Sequence, residues 1–411
     1  MLVTGIAAGE ARTDSAASWL RLFVCVLLGT IGGVGLWSAV VVLPAVQAAF
    51  AATRAEASLA YTLAMLGFAF GGVVTGRVAD RFGMVPTAIA GACLRGGGFL
   101  CAAASPSLAV FALAEALIGV GASATFGPVV ADIAGWFARR RGLAMAVAAS
   151  GNYLAGTVWP PIVQFADAAF GWRAAHAGIG TFCVLAMVPL ALLLRRSGRA
   201  PAAVQAAAAG RTALGLSPGT LQAALIVAGF ACCVAMAMPQ VHIVAYCGDL
   251  GYGPARGAQM LSLMLGFGIV SRVASGWVAD RIGGLPTLLL GSVMQMAALM
   301  LYVGFDGLAS LYVVSALFGL FQGGIVPSYA IIVRAEFPPH ETGTRFGLVL
   351  MSTILGMAAG GWMSGAIFDL TGSYRAAFAN GVAWNVLNAA IALWLLLRGR
   401  MPRSRFVAAT V

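Results

Sequence analysis

The sequence predicts an all-α integral membrane protein, with twelve transmembrane helices in two pseudo-symmetric six-helix bundles. Three observations lead there. The chain of 411 residues is 61% hydrophobic and only 9% charged, where soluble domains carry about 25% charge. Apolar stretches of roughly 20 residues, the length that crosses a bilayer, recur throughout. A twelve-residue stretch is repeated 200 positions later.

Hydropathy places the helices at 20–43, 57–79, 85–104, 107–133, 141–165, 174–194, 219–246, 256–278, 285–304, 308–333, 344–367 and 376–397. Charge or proline separates each from the next. Arg54 and Glu56 follow the first, Arg77 and Arg81 the second, and a tight turn at Pro106 the third. Arg139, Arg140 and Arg141 follow the fourth, Asp167 and Arg173 the fifth, and Arg195, Arg196, Arg199 and Arg211 the sixth. Asp249 and Arg256 follow the seventh, Arg281 the eighth, and Asp306 the ninth. Arg334 and Arg345 bracket the turn after the tenth, and Asp369 and Arg375 follow the eleventh. The tail after the twelfth carries Arg398, Arg400, Arg403 and Arg405. No cleavable signal peptide is expected, because the first apolar run is itself long enough to span.

The connections alternate between arginine-rich and arginine-poor. The positive-inside rule then puts both termini and the 195–218 connection in the cytoplasm, and the expected location is a plasma membrane, the inner membrane of a bacterium. The net charge of +11 is all arginine, since lysine is absent. The arginines cluster at helix ends, so they read as topology and not as a nucleic-acid surface. The Ala-rich 195–218 stretch reads as a linker between an N-terminal bundle, 1–194, and a C-terminal bundle, 219–411.

The bundles repeat. GRVADRFGMVPT at 76–87 matches GWVADRIGGLPT at 276–287 with eight of twelve positions identical. ALIG at 116–119 answers ALFG at 316–319, and GWRAAH at 171–176 answers SYRAAF at 373–378. Parallel repeats of this kind are a transporter architecture, with a substrate site between the halves near the midplane. In the duplicated motif, Gly76 and Gly276 read as positions of close helix approach. Asp80 and Arg81, with Asp280 and Arg281, read as a cytoplasmic gate latch or as a static loop staple.

Several classes are excluded or disfavoured. Without lysine there is no Walker-A loop and no pyridoxal Schiff base. His176, His242 and His340 are scattered and make no metal motif. The seven cysteines lie in or at the edge of apolar segments and read as packing residues. No enzyme constellation, cofactor or metal is expected.

Ionisable residues inside spans are costly and mark function or pairing. Arg95 and Glu115 flank Pro106 by eleven and nine residues, so their depths differ by about 3 Å. They read as a structural pair, with a proton-carrying Glu115 as the alternative. Arg272 lies eight residues before Asp280, about 12 Å above the inner helix end. Gly268, Ser275 and Gly276 lie one turn away, a small face suited to a cavity wall. Its counter-charge reads as a substrate carboxylate, which a guanidinium fork grips bidentately. His242 and Asp249, seven apart, read as a proton relay or as a hydrated helix-end histidine with no relay role.

The duplicated G-x-x-x-D-R-x-G resembles the signature of the major facilitator superfamily over essentially the whole chain. WFARRRGLAMAVAASGNYLAG at 136–156 and GGIVPSYAIIVRAEF at 323–337 resemble the monocarboxylate transporters and their bacterial oxalate/formate-antiporter relatives. That resemblance implies that Arg272 is the carboxylate-binding residue. It also places Trp37, Asn152, Tyr153 and Tyr329 on cavity-lining helices. The chain departs from the pattern at Gly268, where an aspartate is common, in GGVGLW of helix 1, which lacks an acidic residue, and in having no helix-11 lysine. The expected function is secondary active transport of a small organic monocarboxylate, lactate- or pyruvate-like, with a proton as co-substrate; a monomer suffices. A proton-driven drug exporter is the alternative, although GNYLAGTVWPP at 151–161 replaces the exporters' G-x-x-x-G-P-x-x-G-G run. A non-transporting sensor would be expected to have a longer tail than the 13 residues after Arg398.

Overall fold

A computed structural model describes residues 13–195, 214–338 and 341–399, without the Arg141 side chain. The described residues form sixteen α-helices and no strand. This is what a bilayer requires of an apolar chain, because a helix satisfies its own backbone hydrogen bonds. Eleven helical stretches among them are long and apolar enough to cross a membrane. The remaining expected span, the fifth at 141–165, is a pair of shorter helices.

In chain order, α1 (Ala16–Gly32) and α2 (Val34–Ala49) make the first span, followed by α3 (Arg54–Phe82) and α4 (Met84–Ala103). The fourth span is α5 (Leu108–Ser123) and α6 (Gly127–Ala134); the fifth is α7 (Arg141–Ala149) and α8 (Gly151–Phe170); the sixth is α9 (Trp172–Leu193). Then follow α10 (Pro218–Asp249), α11 (Pro254–Ile282), α12 (Gly284–Gly304), α13 (Leu308–Gln322) with α14 (Ile325–Glu336), α15 (Thr342–Thr371) and α16 (Tyr374–Gly399).

The chain divides into two compact units. The described part of one is 13–50 and 63–195; that of the other is 51–62, 214–338 and 341–399. The first turns of α3 therefore cluster with the second unit, a departure from the expected boundary. Their chemistry accounts for it. Thr53 and Glu56 form a reciprocal capping box, with Thr53 N–H donating to Glu56 at 2.8 Å and Glu56 N–H to the Thr53 hydroxyl at 3.2 Å. The next two amides, of Arg54 and Ala55, donate to Asp369 of α15 at 2.9 and 2.7 Å. The Arg54 guanidinium reaches both oxygens of Asp249 at 2.9 and 3.2 Å. The expected 195–218 linker lies largely outside the described residues.

The duplication is visible in the packing. The motif's last glycines, Gly83 and Gly283, both have φ of +88°, a left-handed turn that only glycine adopts cheaply. Each sits immediately before the next helix, α4 or α12. Gly76 and Gly276, expected at close approaches, face open space instead. The close approaches lie elsewhere. A Cβ on Gly119 would overlap the carbonyl oxygen of Ala64, and one on Gly319 that of Met264, again 200 apart. Asp80, Asp280 and their neighbouring arginines are exposed. No hydrogen bond of the described residues engages either aspartate. Arg81 lies over Phe82, and Arg281 lies over Trp277 at 3.4 Å. Among the described residues the expected latch is not made.

Candidate functional sites in the two units

Broken helices at matching places in the two halves of a transporter point to its binding site. The fourth and tenth spans break at matching places, between α5 and α6 at 124–126 and between α13 and α14 at Gly323–Gly324. Each break lies within one unit.

In the first unit three interruptions converge. The first span bends at Gly33, the fourth at 124–126 and the fifth at Ser150. A Cβ on Gly32 would overlap the Thr125 hydroxyl and lie 2.9 Å from the Arg95 guanidinium; one on Gly33 would lie 3.2 Å from the Asn152 amide oxygen. Glycine is what lets these segments meet. A narrow cleft opens there, lined by Gly33, Phe68, Thr125, Phe126 and Asn152 among others. Asn152 Oδ1 is buried without a hydrogen bond. Behind the cleft Arg95 is fully buried, donating to Gly121 O at 2.7 Å, to the Thr125 hydroxyl at 3.3 Å and to Met187 Sδ at 2.9 Å.

The expected Arg95–Glu115 pair is therefore corrected. Depth alone did not set the direction of the side chains. Gly121 lies six residues past Glu115, about 9 Å farther along the helix, so the guanidinium head points away from the carboxylate. Glu115 instead meets His176 of α9, with 3.2 Å between Oε1 and Nε2 and both side chains fully buried. His176 was missed in the sequence because its partner lies 61 residues away. Asp132 likewise finds a distant partner, accepting from Arg21 at 2.7 and 2.9 Å.

Arg95 makes no ion pair among the described residues. Its position in the second unit, 200 residues on, is Gln295, which donates to Cys232 O at 3.3 Å. Cys232 in turn answers Gly32, the residue beside Arg95. The fold thus accepts a neutral amide at this point. Arg95→Gln is expected to shift the thermal unfolding free energy by no more than about 1 kcal/mol. A loss of about 3–5 kcal/mol, the cost of breaking a buried pair, would show that the charge is structural.

In the second unit, a Cβ on Gly323 would overlap Gly268 O and lie 2.8 Å from the Ser271 Cβ, and one on Gly324 would overlap the Ser275 side chain. The small residues of α11 that read as a cavity wall are thus partly a packing seam against α13 and α14. Arg272 follows Ser271 by one position, about 100° around the helix, and is half-buried. Ser275 donates to the Arg272 carbonyl at 3.2 Å. Beside the break, Gln240 of α10 donates to Gln322 at 2.6 Å, and Gln322 Nε2 is buried without a hydrogen bond.

Other expected site residues settle differently. Tyr329 is fully buried in the apolar core of the second unit, and its hydroxyl donates to Asn388 Oδ1 at 2.8 Å. It faces α16, so its placement as a pocket residue is corrected. His242 and Asp249 do not form a relay. His242 Nε2 donates to Gly361 O at 2.8 Å, while Asp249 is held by Arg54. Trp37 and Tyr153 are both buried, and the Trp37 indole N–H makes no hydrogen bond.

Comparison with known proteins agrees with this architecture. The family model of the Major Facilitator Superfamily matches residues 25–309 and 287–410. The chain is 30% identical to Monocarboxylate transporter 13 of Bos taurus over 344 residues, covering 80% of this chain and 78% of that one. It is 30% identical to Monocarboxylate transporter 11 of Mus musculus over 324 residues, covering 73% and 70%. Among solved structures, a bacterial homolog of the human lysosomal transporter Spinster, inward-facing and occupied, superposes with a TM-score of 0.74 at 13% identity, covering 94% of this chain and 98% of that one. At that identity the likeness is one of fold.

Proposed function

This chain belongs to the Major Facilitator Superfamily, and on that premise we propose that it carries a small organic monocarboxylate, of the lactate or pyruvate kind, across the membrane by alternating access together with a proton. It is a multi-pass membrane transporter and not an enzyme. The observation that carries the substrate class is Arg272. Arg272 is half-buried on α11, one position after the Ser271 that packs at the tenth-span break, in a chain related to proteins named monocarboxylate transporters. A monovalent carboxylate matches one fork. The absence of lysine leaves no ammonium to act as a second clamp on a dianion. Asn152, with its unsatisfied amide oxygen beside the first-unit cleft, is proposed to contact the polar end of the substrate. Asp80 and Asp280, exposed and without a hydrogen bond, are proposed to latch the cytoplasmic side in another state of the cycle. A plasma-membrane location with both termini cytoplasmic is proposed, and the arginine distribution supports that orientation.

Uptake into proteoliposomes tests this. Lactate and pyruvate should enter, and faster with an inward proton gradient. Transport of neutral sugars or amphipathic cations with no movement of either acid would favour the drug-exporter reading and overturn this one.

A further inference from the structure

We propose that Glu115 and His176 form a one-proton binding site within the first unit, and that this dyad is the proton-coupling group of the carrier. The inference rests on the proton-coupled reading above and gives it a location. Three observations carry it.

First, the geometry sets the proton count. His176 Nδ1 lies 3.0 Å from Trp172 O. A carbonyl only accepts, so Nδ1 carries a hydrogen. Nε2 lies 3.2 Å from Glu115 Oε1. A hydrogen bond there needs one proton, on the imidazole as an imidazolium–carboxylate pair or on the oxygen as an imidazole–acid pair. Both forms hold the same number of protons and are neutral together. Removing that proton would set a lone pair against a carboxylate and leave a net negative charge in the interior.

Second, the surroundings give that charge no other relief. Phe99, Phe111 and Trp172 enclose the imidazole at ring distances of 5.4, 5.6 and 6.0 Å. Glu115 Oε2 is buried and accepts no hydrogen bond. The charged neighbours are engaged or remote. On α4, Arg95 points to Gly121 and Thr125. Arg173 of α9 donates to Ala103 O and Ser105 O. Asp167 of α8 is within electrostatic reach of His176 but forms no bond to it. Cys183, the other titratable group on α9, is buried near Arg95. Protonation is therefore tied to the α5–α9 contact: the pair stays together with its proton and separates without it.

Third, the second unit serves as an internal control. Ser315 stands 200 residues after Glu115, and Phe378 takes the place of His176 in the repeated SYRAAF. There Tyr302 bonds Ser315 at 2.8 Å and stacks on Phe378 at 4.8 Å. The same three-helix packing is closed by neutral groups, so it does not by itself require a carboxylate and an imidazole.

In the cycle, one proton taken from the donor side completes the pair as the acid anion binds, and the same proton leaves to the other side after the anion. Three proteins test this in lactate-loaded proteoliposomes: wild type, Glu115→Gln, and a double variant with Glu115→Ser and His176→Phe that copies the second unit. At equal pH, labelled-lactate exchange measures the transport-competent fraction of each protein, and accumulation is read per competent carrier. With a gradient of about one pH unit, wild type should accumulate lactate up to about tenfold, and both variants should not accumulate it. Accumulation retained in either variant would overturn the proposal. A substrate-free measurement separates this from the carrier reading. The chain has three histidines, so nitrogen-15 histidine labelling resolves His176, assigned by its loss in the double variant. Its ring signals should respond to pH in wild type, and differently in Glu115→Gln. Signals that do not respond to pH would overturn the dyad even if lactate is carried. Moving signals without lactate exchange would support the dyad and overturn the lactate reading alone.

Discussion

Arg272→Lys is expected to slow lactate or pyruvate uptake by about 10- to 100-fold, and Arg272→Ala to abolish it, with both proteins remaining folded. The guanidinium presents two parallel N–H donors to one carboxylate, whereas an ammonium is a point charge that keeps the attraction but loses the fork. A hydrogen bond to a charged group contributes about 1.5–3 kcal/mol, which sets the size of the lysine effect. The scaffold does not demand a cation at this point, because the corresponding residue of the first unit is Gly72, which faces open space. On this reading the thermal midpoint of Arg272→Ala without substrate stays near wild type. If Arg272 were instead half of a structural pair, alanine would strand a buried carboxylate and cost about 3–5 kcal/mol. A large fall in the midpoint, with substrate binding per folded molecule intact, would remove Arg272 from the substrate site.

Class, spans and duplication were legible because they depend on one-dimensional quantities. Hydropathy over about 20 residues and the placement of arginines survive without knowledge of packing. Helix breaks were partly legible, since Gly32–Gly33 and Gly323–Gly324 are visible as pairs. What hydropathy does not encode is the direction a side chain takes around its helix. Arg95 and Glu115 matched in depth yet point to different neighbours, and Tyr329 sits at mid-span but turns into the core. The small face around Arg272 proved partly a packing seam. One signal for the site was present and unused. Placing the repeats side by side shows that Arg272, Arg95, Glu115 and His176 each face a neutral counterpart in the other half, namely Gly72, Gln295, Ser315 and Phe378. Charges that only one copy of a duplicated scaffold carries are not demanded by the scaffold.

The same comparison identifies what the scaffold does demand. Gly119→Leu and Gly319→Leu are each expected to abolish the recovery of folded protein, and alanine at either site to lower the unfolding free energy by about 1–3 kcal/mol. At both sites the obstacle to a Cβ is a backbone carbonyl, of Ala64 or of Met264. A side chain could rotate away, but a carbonyl moves only if its whole helix moves. Between membrane helices, packing and not hydrophobic burial holds the contact, so separating the backbones there forfeits what joins the second span to the fourth and the eighth to the tenth. Gly76→Ala and Gly276→Ala supply the control, since the same chemical change enters open space. Within a helix it should be neutral or stabilise by about 0.5–1 kcal/mol through the lower flexibility of alanine. Yield of monodisperse protein and thermal midpoint, measured on all four alanine variants in one detergent, read the difference. Equal midpoints for Gly319→Ala and Gly276→Ala would mean that α11 and α13 do not approach as closely as described, and that the two glycines of ALIG and ALFG repeat for another reason.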